Sequence, residues 1–158
     1  MQRTMLATGL VIALAGCKHT ADEPNDALVE TARACARHGE LSCPRPILYV
    51  RSLRASQRYY RDSLGFQIKW EHGDPPDFGA VGRGDAELFM CQGCQGTPGS
   101  WVMIFTPDVD RLYAEIVRKG AIIKSPPGDK PWGMREMQVA DPDGNVIRFG
   151  RSLDDHRR

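Results

Sequence analysis

The sequence predicts an α+β fold made of two consecutive βαβββ modules. Short strand patterns and one helical pattern occur twice in the same order, and Gly, Pro and Asp clusters separate the strands. The 158 residues, 41% of them hydrophobic, suffice for one folded domain with a short extension. Lys and Arg number 21 against 20 Asp and Glu, so the chain lacks the basic field of a nucleic-acid-binding protein.

The first 16 residues have the features of an export signal. The uncharged, mostly apolar run from Met5 to Gly16 is too short to span a bilayer and suits the core of a signal peptide. It ends in Leu-Ala-Gly-Cys17, which resembles the lipobox of bacterial lipoproteins, although a soluble leader with a chance cysteine is the alternative. We therefore expect residues 1–16 to be removed and Cys17 to be lipidated. The protein would then be a membrane-anchored lipoprotein of the cell envelope, facing the periplasm or the exterior.

Four further cysteines are expected to form disulfides, because disulfides persist outside the cytoplasm. The obvious pairs are Cys35 with Cys43 and Cys91 with Cys94, although four cysteines allow three connectivities. A tetrathiolate zinc site is the alternative, since the last pair has the C-x-x-C spacing of a zinc knuckle. The seven residues between the first pair do not form a second knuckle.

A tether and an accessory helix precede the predicted domain. We assign residues 17–44 to this region, with a helix from about Asp26 to His38 that ends before Gly39. The domain itself is expected to span residues 45–151, and residues 152–158 form a charged tail.

The first module begins with a strand over Ile47–Val50 and a helix that Ser52 caps and Gly65 ends. Three short strands follow, separated by turns: Phe66–Trp70, Phe78–Val81 and Glu87–Met90.

The second module repeats this order. A strand over Trp101–Phe105 precedes a helix for which we expect Thr106 as the cap and Pro107 as the first residue. The helix has apolar residues at a helical spacing from Val109 to Val117. The remaining strands are Ala121–Lys124, Arg135–Ala140 and Asn145–Phe149.

Several segments resemble one family when they are taken in order. They are Pro46-Ile-Leu-Tyr-Val50, Tyr59-Tyr-Arg-Asp-Ser-Leu-Gly-Phe66, Lys130-Pro-Trp-Gly-Met-Arg-Glu136 and Asp141-Pro-Asp-Gly-Asn145. With the repeated βαβββ layout they are similar to the glyoxalase, bleomycin resistance and dioxygenase (vicinal oxygen chelate) superfamily. The resemblance implies paired modules that form incomplete barrels around a cup-shaped cleft, often completed in a homodimer.

The same resemblance implies a divalent metal in most enzymes of the family, so we compared the expected ligand positions with this chain. They fall at Arg45, Trp101 and Arg148, none of which can coordinate a metal ion; Glu87 supplies one further carboxylate. The four histidines have no partner at ligand spacing. We therefore expect no metal, no cofactor and no catalytic residues.

The predicted cleft is instead lined by rings and a few charges. Strand alternation puts Trp101, Met103 and Phe105 on one face, which the family layout turns into the cup. The predicted ligand-binding residues are Tyr49, Phe89, Trp101, Met103, Trp132, Glu136 and Arg148. Such a lining suits an aromatic, cationic ligand, through stacking, attraction of the ring face for the cation and a carboxylate such as Glu136 or Asp85.

Within the family, the chain most resembles the bleomycin resistance proteins, which sequester that glycopeptide antibiotic without covalent chemistry. We expect a non-catalytic binding protein of this kind. One alternative is a metal-dependent lyase or dioxygenase of the same family. The other is an envelope interaction module that uses the cup for a protein or cell-wall partner. An ordinary hydrophobic core would also account for these aromatic residues.

Overall fold

The computed structural model describes residues 26–36 and 43–154. The predicted signal peptide, the lipidation residue Cys17 and the last four residues lie outside this part of the chain. The helices are α1 (Asp26–Ala36), α2 (Leu53–Asp62) and α3 (Val109–Arg118). The strands are β1 (Ile47–Val50), β2 (Gln67–Gly73), β3 (Pro76–Arg83), β4 (Ala86–Gln92), β5 (Trp101–Phe105), β6 (Ile122–Asp129), β7 (Met134–Ala140) and β8 (Val146–Ser152).

The strands form two four-stranded sheets with the same topology. The first sheet has the order β1-β4-β3-β2 and the second the order β5-β8-β7-β6. In each sheet the first strand pairs in parallel with the last, and the other pairs are antiparallel. The predicted α+β fold of two βαβββ modules is confirmed, and both sheets are open and not closed into barrels.

Both core helices have side-chain caps at their first turn. The Ser52 hydroxyl accepts a hydrogen bond from the backbone N–H of Ala55, as predicted. For α3 the prediction was wrong by two residues, because the Asp108 carboxylate caps the helix by accepting from the N–H of Arg111. Aspartate is the better cap here, since its charge also interacts favourably with the helix dipole.

The edge strands extend further than their sequences indicate. β6 continues through Pro126 and Pro127, where its register with β7 shifts. Proline removes a hydrogen-bond donor from the ladder, but an edge strand has a side without a partner strand and tolerates that loss. The central strand β3 also begins earlier than predicted, at Pro76 rather than at Phe78, and proline is tolerated there because it is the first residue of the strand.

One continuous cluster of buried side chains joins the two modules. It contains residues of α2 and the first sheet, such as Leu53, Leu88 and Met90, together with Ile116 of α3 and Ile147 of the second sheet. Since the helix-facing sides of both sheets share this core, the opposite face of each sheet is left for other contacts. The fold therefore presents the outer face of β5 to solvent.

A polar turn of the second module is hydrogen-bonded into the first module. The Asp141 carboxylate accepts from the backbone N–H groups of Asp143 and Asn145 and from the Tyr60 hydroxyl of α2. The side-chain amide of Asn145 donates to the backbone oxygen of Tyr49 in β1 at 3.0 Å. Gly144 closes the turn at φ +85°, a left-handed conformation that favours glycine. Residues 141–145 thus fix the position of one module on the other, and we call them the clamp turn.

The clamp turn holds two carboxylates with opposite pKa shifts. Burial raises the pKa of Asp141 above its usual value of 3.8. Burial also acts on Asp143, but hydrogen bonds from Arg51 and Ser56 outweigh it and lower the pKa of Asp143. Ser56 is buried and donates to Asp143 at 2.7 Å. Only the Asp143 carboxylate is thus stabilised in its charged form by folding.

Cys91 and Cys94 form a disulfide at the end of β4. Cys43 is also disulfide-bonded, and the side chain of Cys35 lies outside the described part. Gln92, the last residue of β4, lies between the two bridged cysteines and accepts a hydrogen bond from the N–H of Leu53 at the start of α2. The bridge thus lies next to a contact that holds α2. No helix among residues 26–36 and 43–154 is long and apolar enough to cross a membrane.

We predict that Asp143→Asn lowers the free energy of unfolding by about 1–2 kcal/mol at pH 7, since it removes the charge from a hydrogen-bonded carboxylate. The lowered pKa means that this stabilisation is present above about pH 3.8 and is lost as the pH falls through the folded-state pKa. Urea unfolding of both proteins between pH 7 and pH 2.5 measures the difference. A gap between the two proteins that does not narrow at low pH would contradict this assignment.

Candidate functional site

The outer face of β5 carries large apolar side chains that the core does not cover. Strand alternation points Val102 and Ile104 towards the core, whereas Trp101 is 54% and Phe105 is 72% exposed. Exposed single apolar residues are common on proteins, but a contiguous patch of large ones marks a surface that contacts something else. This strand is therefore the candidate binding surface.

A glycine in the neighbouring strand lets two functional side chains meet beside β5. Met103 lies opposite Arg148 and Phe105 lies opposite Gly150, and Gly150 in turn pairs with Glu136 of β7. A Cβ atom at Gly150 would lie 2.6 Å from the Met103 Cε and 3.2 Å from the Glu136 Cγ. A larger residue at this position would displace the end of the Met103 side chain and press on Glu136, so glycine lets the two approach each other.

Glu136 is the central polar group of the site. It is 4% exposed, and its Oε1 accepts a hydrogen bond from the Trp132 Nε1 at 2.9 Å. The Arg148 Nη1 lies 3.7 Å from its Oε2. Within the described residues, neither this Oε2 nor the Arg148 Nε has a hydrogen-bond partner. Buried polar groups are nearly always hydrogen-bonded, so these two atoms are exceptions that mark the site.

Two cations of the chain itself lie over the Trp101 ring. The Lys124 Nζ and the Arg148 Cζ are each 5.5 Å from the ring centroid, within the range of a cation–π contact. The sequence analysis expected this ring face to attract a cation of the ligand. In the structure Lys124 and Arg148 already occupy the Trp101 ring, so Glu136 is the group that remains for a ligand cation.

These side chains enclose an open cleft of about 470 Å³. Its lining consists of Trp101, Val102, Met103, Phe105, Met134, Glu136 and Arg148. This volume lies within the range of sites that hold small molecules, and mostly apolar walls with a few polar groups are typical of such sites.

The structure brings together five of the seven predicted ligand-binding residues. Trp101, Met103, Glu136 and Arg148 line the cleft, and Trp132 contacts it through Glu136. Tyr49 and Phe89 lie in the first sheet instead. There Phe89 packs against Trp70 and Phe78, with ring centroids 5.0 and 5.9 Å apart, whereas the Tyr49 backbone oxygen accepts from the clamp turn.

The sequence analysis missed Lys124, Met134 and Gly150 as parts of the site. A glycine inside a strand often marks a close approach of another group, so the sequence carried a signal for Gly150. Lys124 ends a predicted strand and Met134 precedes one, and neither has a sequence feature that separates it from an ordinary surface residue. Their role depends on the register between β5, β8 and β7.

The residues at the metal-ligand positions of the resembled family do not fit a metal ion. Arg45 donates to the Glu87 carboxylate at 2.9 Å, and Arg148 faces Glu136. Guanidinium and indole groups have no lone pair to offer a metal, so Arg45, Trp101 and Arg148 cannot serve as ligands. Among residues 26–36 and 43–154 there is no group of three His, Cys, Asp or Glu side chains that could hold a metal ion.

Comparisons with known proteins agree with this architecture. The protein YraH of Bacillus subtilis (strain 168) is 25% identical over 122 residues, which cover 67% of this chain and 94% of YraH. The structure is similar to that of the bleomycin resistance determinant encoded on the transposon Tn5, with a TM-score of 0.60 and 21% identity, covering 71% of this chain and 98% of the determinant.

A second solved structure is the bleomycin-binding protein of bleomycin-producing Streptomyces verticillus in complex with copper(II)-bleomycin. It matches with a TM-score of 0.58 and 25% identity, over 70% of this chain and 96% of that protein. Residues 42–149, more than half of the chain, match the family profile of the glyoxalase/bleomycin resistance protein/dioxygenase superfamily. The chain therefore belongs to the glyoxalase/bleomycin resistance protein/dioxygenase superfamily.

Proposed function

We propose that this protein binds a small aromatic molecule and sequesters it without converting it. We further propose that the ligand is a cationic glycopeptide antibiotic of the bleomycin type. The observation that carries the proposal is the exposed aromatic surface of β5, next to a buried carboxylate with one oxygen lacking a hydrogen-bond partner in the described structure. Flat apolar rings beside a carboxylate suit recognition of a heteroaromatic cation.

The geometry assigns a separate role to each part of the cleft. Lys124 and Arg148 hold the Trp101 ring from their positions over it, so a ligand ring stacks on a surface that is already ordered. Order before binding lowers the entropy lost on association. The Glu136 Oε2 then accepts a hydrogen bond from a cationic group of the ligand.

The names of two similar structures support the choice of ligand. One is a bleomycin-binding protein in complex with the copper form of the drug, and the other is a bleomycin resistance determinant. At 25% and 21% identity they indicate the ligand class to test first. The cleft itself, with its apolar walls and its carboxylate, is consistent with capture of the drug.

We also propose the location and assembly that the sequence predicts. Lipidation at Cys17 would anchor the protein in the cell envelope, where it would intercept a drug before entry. A second copy of the chain would cover part of the β5 face, since the fold leaves Phe105 72% exposed. Such a homodimer would deepen a cleft that is open in one chain.

Calorimetric titration of the protein with metal-free bleomycin is the direct test. We expect a saturable heat with about one drug molecule bound per chain, quenching of tryptophan fluorescence and an increase in the melting temperature, since a ligand that binds only the folded state stabilises it. Absence of both heat and thermal shift at excess drug would exclude this ligand. Tryptophan fluorescence that stays unquenched at excess drug would favour a protein partner for the β5 face.

Trp101→Ala is expected to weaken drug binding at least tenfold while changing the free energy of unfolding by less than about 1 kcal/mol. The ring is half exposed, so its removal leaves little cavity in the core, whereas an aromatic anchor contributes strongly to binding. Titration and thermal unfolding of the same samples separate the two effects.

Val117→Ala is the matched control, because Val117 is also exposed but lies on α3 away from the cleft. It should bind the drug like the unchanged protein. A large fall in melting temperature for Trp101→Ala would place the ring in the core and contradict its role in binding.

Glu136→Gln is expected to lower the affinity for bleomycin about tenfold and to reduce the salt dependence of binding. The amide keeps an oxygen for the Trp132 N–H but removes the charge that a ligand cation would pair with. Titrations at low and high ionic strength measure both quantities. Equal affinity of the two proteins at low salt would show that the carboxylate does not contact the cation.

A further inference from the structure

We propose that α1 forms a second wall of the ligand site and supplies carboxylates for the cationic end of an elongated ligand. This inference rests on the proposed function and extends the site to residues outside the matched family region. That region begins at residue 42, whereas α1 spans Asp26–Ala36. The wall is therefore an addition to the part of the chain that the family shares.

A large cavity of about 1050 Å³ lies between α1 and the two modules. Four residues of α1 line it, namely Ala27, Glu30, Thr31 and Ala34. Their spacing of three, four and seven residues from the first places them on a single face of the helix. Apart from Glu30, the residues on this face have short side chains, so the helix leaves space between itself and the modules.

The cavity meets the β5 cleft at the edge of that strand. Val102, Met103 and Phe105 line both spaces. Because neighbouring residues of a strand point to opposite faces, a space that touches all of them reaches around the strand edge. An elongated ligand that stacks on Trp101 can thus continue along β5 towards α1.

The charges in the cavity favour a cationic group. Its lining includes three carboxylates, of Glu30, Asp85 and Glu87, and two cations, of Arg45 and Lys69. Arg45 and Glu87 form an ion pair at 2.9 Å. Glu30 and Asp85 are exposed, so they are free to turn towards a ligand cation. The balance of the unneutralised groups is negative, which attracts a cationic group.

A buried hydrogen-bond donor without a partner belongs to the residues that line the cavity. Trp70 lines the cavity and is 7% exposed, and its Nε1 has no hydrogen-bond partner in the described structure. A buried indole N–H without an acceptor is costly, and a carbonyl or ether oxygen of a ligand would satisfy it. The cavity therefore offers a donor for the body of the ligand and carboxylates for its end.

The test compares bleomycin binding by the full chain and by the double variant Glu30→Gln/Asp85→Asn. We expect affinity to fall about fourfold or more at low salt, since each exposed charge pair accounts for about twofold to fivefold. The difference should shrink at 0.5 M salt, roughly the range where exposed charges are screened. Hydrolysing the drug to remove its cationic terminal group should make both proteins bind it equally.

The control is Asp62→Asn/Asp74→Asn, which changes the net charge by the same amount at exposed positions outside this cavity. It should bind the drug with an affinity within about twofold of that of the unchanged protein.

Ala34→Phe fills the cavity from α1 without touching the core, and it should weaken binding of the intact drug more than that of the hydrolysed drug.

The outcomes separate the two proposals. If bleomycin binds the unchanged protein and the Glu30→Gln/Asp85→Asn variant with equal affinity, the role of α1 is overturned and the β5 site stands. Equal losses in this variant and in the charge control would overturn it too, because they would reflect net charge alone. Absence of binding to the unchanged protein would overturn both proposals.

Discussion

The clamp turn of residues 141–145 is the interaction on which the site depends. Burial of apolar side chains drives the modules together, but it is non-directional and would tolerate many relative positions. Hydrogen bonds need defined distances and angles, so Asp141 and Asn145 select one of them. Asp141 is buried and accepts the Tyr60 hydroxyl across the two modules, so any other position would cost it that hydrogen bond. The arrangement that results places the helices in the shared core and the β5 face outside it.

That outward face explains why the site differs from a core. Trp101 and Phe105 would be ordinary packing residues if the sheets enclosed them, and the alternation of β5 by itself allows both readings. The shared core takes Val102 and Ile104, which leaves the larger side chains in solvent. Exposed apolar side chains next to the buried Glu136 do not contribute the stabilisation that burial gives. A bound ligand would bury them and supply that stabilisation.

The sequence was sufficient to predict the modules, most strand positions and the face of β5, because these follow from local periodicity and turn residues. It predicted the Ser52 cap but chose Thr106 over Asp108, since both precede the helical pattern and only the backbone geometry decides between them. The grouping of Glu136 with Arg148 and of Lys124 with Trp101 could not be derived, because it depends on the register between strands far apart in the chain. Likewise, the local sequence does not distinguish Tyr49 and Phe89 from residues of the cleft. They differ from those residues because they belong to the first sheet.

The arginines of the site bear on the proposed capture of a ligand. At the positions where the family places ligands, Arg45 pairs with Glu87 and Arg148 faces Glu136. A guanidinium beside a carboxylate balances its charge without a metal ion. In the proposed function the Glu136 carboxylate, whose Oε2 has no hydrogen-bond partner in the described structure, receives the cation of the ligand. Its contact with Arg148 sets the position of that carboxylate before the ligand arrives, which lowers the entropy lost on binding.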